Sequence, residues 1–161
     1  MNLVETKPAN ISLSRMRDSV LVFGAISCVL YIAFLFLMKL FGLMHVTELR
    51  FVNYVILCFV GLYQIKRWIK QTGAYVPFLQ VLGTVLFTGV WSFILFSVFL
   101  YIYSKYNLEL AELFVNRTMG VFPTVPSIII LFEGAGASII VAFINMQYFR
   151  RYEEGEKSPR S

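Results

Sequence analysis

Residues 71–104 read QTGAYVPFLQVLGTVLFTGVWSFILFSVFLYIYS, a run without a single Asp, Glu, Lys or Arg. A helix needs about 20 mostly apolar residues to cross a hydrocarbon core of about 30 Å, and this run exceeds that. The pattern recurs on both sides of it. Residues 19–38 and 51–65 carry no charge, and residues 118–149 carry only Glu133. Composition agrees: 58% of the 161 residues are hydrophobic and 14% charged, whereas soluble domains average about 25% charged. Mean hydropathy is +0.73. The expected fold is all-α and integral to a membrane, with four transmembrane helices in one bundle and both termini cytoplasmic.

The expected spans are about 19–40, 50–69, 75–106 and 126–148, within a four-helix transmembrane domain over 19–149. Cytoplasmic tails of 1–18 and 150–161 flank it. The second span is the shortest, since its uncharged run ends at Arg50 and Lys66. Snorkelling of those side chains extends the usable length. An interfacial placement is the alternative, but the segment is apolar around nearly its whole circumference, whereas an interfacial helix keeps a charged face. No small-x-small cleavage site follows the first apolar run, so 19–38 reads as an uncleaved span.

Basic residues set the expected orientation. Lys7, Arg15 and Arg17 precede the first span, Lys66, Arg67 and Lys70 follow the second, and Arg150, Arg151, Lys157 and Arg160 follow the fourth. Only Lys39, Arg50, Lys105 and Arg117 fall on the other side. The positive-inside rule then puts both termini in the cytoplasm. The net charge of +5 serves topology and anionic headgroups, and no nucleic-acid partner is expected.

Glu133 is the chief candidate for function. A carboxylate at membrane depth costs about 2.5–3.5 kcal/mol on insertion scales, so it normally faces a partner or a wet cavity. Thr84, Thr88 and Ser92 recur every four residues in the third span and form one polar stripe, a candidate wall toward Glu133. Asn53 is the candidate amide. Packing through small residues, with the hydroxyls bonded to their own backbone, is the simpler reading of the stripe. Gly89, Gly134, Gly136 and Ser138 are the expected helix-packing positions. Since the only Lys and Arg of the spans lie at their ends and none is intramembrane to pair with it, a neutral, hydrogen-bonded carboxyl is expected at Glu133 rather than a fixed anion.

Reaction motifs are missing. Cys28 and Cys58 each sit inside a span, with no Cys-x-x-Cys, and read as packing residues. The lone His45 has no second histidine to complete a metal site. Gly134-Ala-Gly136 lies inside an apolar helix and is no phosphate cradle, and no P-loop, HExxH or nucleophile elbow occurs. Outside the spans, the Asn107–Phe114 stretch suggests a helical extension carrying Glu109 and Glu112 on one face. Asn10-Ile-Ser12 and Asn116-Arg-Thr118 match the glycosylation tripeptide.

From Phe51 onward, the layout resembles a family of small four-span bacterial membrane proteins, of the Bacteroidota type, whose function is unknown. The segments that carry the likeness are the basic end YQIKRWIK (63–70), the third span over 75–91, and Phe132-Glu133-Gly134 leading to Asn145-Met-Gln-Tyr-Phe149. The resemblance implies a bacterial inner (cytoplasmic) membrane location and a multi-pass architecture, and it lends no catalytic residue. The expected function is non-enzymatic, as an accessory or structural subunit of a membrane complex or a self-associating bundle. No cofactor or metal is expected, and the expected partners are the lipid bilayer and a homo-oligomer or larger membrane complex. The alternative is a small proton-coupled carrier or channel using Glu133.

Overall fold

The computed structural model describes residues 13–43, 49, 51–72, 77–106 and 124–156. The Asn107–Phe114 extension with Glu109 and Glu112, His45 and both glycosylation tripeptides lie outside the described residues.

Four helices account for nearly all of the described chain: α1 (Leu13–Leu40), α2 (Phe51–Thr72), α3 (Phe78–Tyr106) and α4 (Thr124–Glu156). Two boundaries have clear local causes. Gly42 adopts φ 66°, a conformation that costs a residue with a Cβ. There the amide of Gly42 bonds the carbonyl of Lys39 at 3.1 Å and that of Leu43 bonds Met38 at 2.9 Å, which closes α1 with a Schellman motif. Pro77 lacks an amide hydrogen but opens α3, its carbonyl accepting from Gln80 at 2.9 Å and Val81 at 3.2 Å.

Helix α1 starts earlier than the expected span over 19–40, so Asp18 and Ser19 both lie within it. Ser19 instead accepts a hydrogen bond from the side-chain amide of Gln64 at 3.0 Å. Helix α4 continues past Tyr148 to Glu156.

Three of the four helices are long and apolar enough to cross a membrane, over Ser14–Leu40, Leu79–Tyr106 and Ser127–Phe149. The expectation of four transmembrane helices is thereby corrected: α2 does not qualify. Asn53 and Gln64 interrupt its apolar run and Lys66, Arg67 and Lys70 fill its last turns.

Helix α2 nonetheless packs lengthwise in the bundle. Its outward row is Phe51, Val55, Phe59 and Tyr63, all exposed, whereas Asn53 and Gln64 are buried. It buries these two amides among Leu57, Ile65 and Trp68 and leaves an apolar row outside, where a helix on the surface of a soluble domain carries polar residues.

Around the bundle the order is α1, α3, α4, α2, with α3 against α4 the most extensive interface. Helices α3 and α4 run antiparallel. Gly89 lies against Ser138, Gly134 against the ring of Phe93, and the Ser97 hydroxyl donates to the Ser127 carbonyl at 2.8 Å. Helices α1 and α3 run parallel, joined by Gly24 under Trp91 and by Tyr31 stacked on Phe93 at 5.1 Å between ring centres. Such small-residue contacts let helix backbones approach closely where no hydrophobic effect drives association. The core is Tyr31, Leu57, Ile65, Val85, Phe93, Phe96 and Leu100, each almost fully buried.

The contacts bring the basic segments to one end. Lys66 lies over the Tyr148 ring at 5.6 Å and Arg67 over Phe23 at 5.9 Å. The start of α1, the end of α2 and the end of α4 therefore meet there, while Lys39 and Lys105 lie in the last turns of α1 and α3 at the other end.

Candidate functional site

Glu133 sits in α4, nine residues from its start, and is half-buried. Its carboxylate oxygen Oε1 accepts a short hydrogen bond from the Tyr54 hydroxyl of α2. The Tyr54 ring centre lies 6.2 Å from that of Phe93, and the Phe93 ring covers Gly134, the next residue along α4. Gly134 is what allows this arrangement, since a side chain there would occupy the space of the ring. Phenol and aromatic face together frame the acid at the junction of α2, α3 and α4. Among the described residues no Lys or Arg lies within salt-bridge distance of it.

The polar stripe on α3 does not reach Glu133. Thr84 donates to its own helix at the Gln80 carbonyl, 2.6 Å away. Thr88 donates to the Gln64 side-chain carbonyl at 3.1 Å. Ser92 donates to the Gly89 carbonyl at 2.8 Å and lies 3.4 Å from the Tyr31 hydroxyl. Register explains the separation. Gly134 pairs with Phe93 and Ser138 with Gly89, so Thr88 lies about six residues, or about 9 Å, further along the bundle than Glu133. Ser92 is at the right level but turned toward α1.

Asn53 precedes Tyr54 and is only 7% exposed; its side-chain oxygen has no hydrogen-bond partner among the described residues. The expected packing positions divide. Gly89, Gly134 and Ser138 are buried between α3 and α4, with Leu57 of α2 also against Gly89. Gly136 is exposed and has nothing within 4 Å of where its Cβ would be; it lies on the opposite side of α4 and takes no part in packing.

A second polar site, not singled out from sequence, surrounds Gln64. This fully buried amide donates to Ser19 of α1 and accepts from Thr88 of α3. Nearby, Asn145 of α4 packs against Gly61, donates to the Val141 carbonyl at 2.9 Å and lies 3.7 Å from the Cys58 sulfur. Helix α2 is thus tied to α1 and α3 through Gln64 and to α4 through Tyr54 and Cys58. The available sequence signal was the presence of Tyr54 and Gln64 in an otherwise apolar run, because a polar group at that depth needs a partner.

The arrangement offers one carboxyl with a phenol, several amides and hydroxyls, and two separate thiols. Among the described residues no cluster of three His, Cys, Asp or Glu side chains exists that would hold a metal ion. The chain is a helical, largely apolar bundle of membrane type. Comparison with protein-family models, with curated proteins and with solved structures gives no significant match for this chain.

Proposed function

We propose that this chain is a non-enzymatic integral membrane protein, acting as an accessory or structural subunit of a membrane complex or as a self-associating bundle. The observation that carries this reading is where the polar groups between its helices go. Glu133 is joined to Tyr54, and Gln64 to Ser19 and Thr88. These bonds hold helices together, and among the described residues there is neither a chain of titratable groups nor a broken helix of the kind that marks a transport pathway.

Reconstitution tests the reading. Vesicles containing the purified protein, driven by a membrane potential and followed with a pH-sensitive dye, are expected to take up protons no faster than empty vesicles. A flux that disappears in Glu133→Gln, with assembly intact, would establish the carrier reading instead. In gently solubilised native membranes the chain is expected in a particle well above its own 18.5 kDa. Migration as a lone monomer would remove the accessory and self-associating readings together.

The proposed orientation turns the basic end of the bundle toward the cytoplasm. Its support is the collection of Arg15, Arg17, Lys66, Arg67 and Lys70 at that end against Lys39 and Lys105 at the other. In a variant lacking Cys28 and Cys58, a cysteine replacing Lys105 is expected to react with an impermeant maleimide in intact cells. A cysteine replacing Lys70 should react only after permeabilisation. The reverse pattern sinks the orientation.

A further inference from the structure

A groove of about 470 Å³ runs along the outer surface between α1 and α3. Its walls are Val20 and Leu21 from α1 and Phe87, Val90, Trp91 and Ile94 from α3, with Met16 and Arg17 at one end. The lining is almost entirely apolar, and the one charged group is at the rim. The shape has a cause in the sequence. Two glycines thin the α1–α3 seam: Gly83, whose added Cβ would sit 3.6 Å from the Met16 methyl, and Gly24, which leaves room for the Trp91 ring.

Three properties identify the occupant. The groove opens on the bundle's outside, the side of α1 and α3 that lipid covers in a membrane protein. From Phe87 to Ile94 it extends seven residues, or about 10 Å along α3, which is most of one leaflet's half of an approximately 30 Å core. Arg17, with its side chain 73% exposed, stands at the basic end, where headgroups of the adjoining leaflet lie. Its only ion pair among the described residues is with exposed Asp18, through Nε at 3.5 Å. The remaining guanidinium N–H groups stay available for a phosphate.

We propose that this groove seats one acyl chain of an anionic phospholipid, whose phosphate pairs with Arg17. Basic residues at the mouth of a cleft between membrane helices recognise acidic headgroups in this way. The proposal rests on the membrane reading of the protein, and its experiment separates the two.

Trp68→Phe leaves Trp91 as the only tryptophan of the two in the chain, placing a fluorophore in the groove wall. In phosphatidylcholine vesicles, brominated phosphatidylglycerol is expected to quench Trp91 at about a fivefold lower mole fraction than brominated phosphatidylcholine. That ratio is the scale of about 1 kcal/mol attributed to one basic residue near an anionic surface. Arg17→Gln should abolish the preference, and Lys105→Gln, at the far end, should keep it. Equal quenching by the two lipids, or a preference that survives Arg17→Gln or is lost in Lys105→Gln, overturns the proposal. Mass spectrometry of the wild-type chain released from mild detergent provides a check without the Trp68 substitution. One retained phosphatidylglycerol is expected, and no selective retention counts against the site. Protein that fails to float with any vesicle would overturn the membrane reading itself.

Discussion

Gly134→Ala is expected to destabilise the bundle by about 2 kcal/mol. The added methyl would enter the space of the Phe93 ring. That ring has little freedom to withdraw, being 2% exposed and stacked on Tyr31. Overpacking of this kind costs about 1–3 kcal/mol, occasionally more. Against it stands the gain of about 1 kcal/mol when alanine replaces glycine within a helix. With a rigid ring as the obstacle the steric term lies at the upper end of its range and wins. Unfolding in mixed micelles of rising dodecyl sulfate content measures the difference. Gly136→Ala provides the control, because nothing lies near its added methyl, and it should stabilise by up to about 1 kcal/mol. Phe93→Leu in the Gly134→Ala background should restore part of the loss. A Gly134→Ala protein as stable as the parent would show that α3 and α4 do not meet as described.

Gln64→Leu is expected to cost about 1.5 kcal/mol. Leucine preserves most of the volume but breaks bonds to two helices at once, to Ser19 and to Thr88. Hydrogen bonds between membrane helices average about 0.6 kcal/mol and reach about 1.7. The lower part of that range applies to Ser19, which is only half-buried. The Thr88 hydroxyl can turn back to a carbonyl of its own helix, as Thr84 does, which limits its loss as well. A double-mutant cycle with Thr88→Val isolates the bond, with an expected coupling of about 0.5–1 kcal/mol. Strict additivity of the two substitutions would mean that the Gln64–Thr88 bond contributes nothing to holding α2 in place.

The two sites divide the labour in the bundle. Helices α1, α3 and α4 are joined mainly by shape: glycine against ring, serine against glycine, tyrosine stacked on phenylalanine. Helix α2 is joined to them by side-chain hydrogen bonds at Tyr54, Cys58 and Gln64. Substitutions at the glycines therefore act on the three-helix body, and those at Gln64 act first on the attachment of α2.

Much of this architecture was legible in the chain. The runs of α1, α3 and α4, uncharged but for Glu133, announce membrane-crossing helices because charge is what a bilayer excludes, and no tertiary contact is needed to see it. The shared face of Thr84, Thr88 and Ser92 was legible as well, because four-residue spacing defines a face. Which neighbour that face meets was not. It meets α1 and α2 and not Glu133, and the outcome depends on the axial register of α3 against α4, which Gly89–Ser138 and Gly134–Phe93 establish. Tyr54 as partner of Glu133 was hidden for a related reason: 79 residues separate them in the chain, and periodicity within one helix says nothing about the next.

The sequence by itself determined the helical class, apolar helices long enough to cross a membrane, read as four where three qualify, and an asymmetric distribution of basic charge. Each follows from transfer free energies summed along a local stretch. Only the tertiary structure decided that α2, whose apolar run is broken by polar residues and ends in a basic segment, turns Asn53 and Gln64 inward and its apolar row outward. Only there does the acid at Glu133 acquire a phenol, since a hydrogen bond between helices requires that both be placed to within an ångström, and that precision comes from packing.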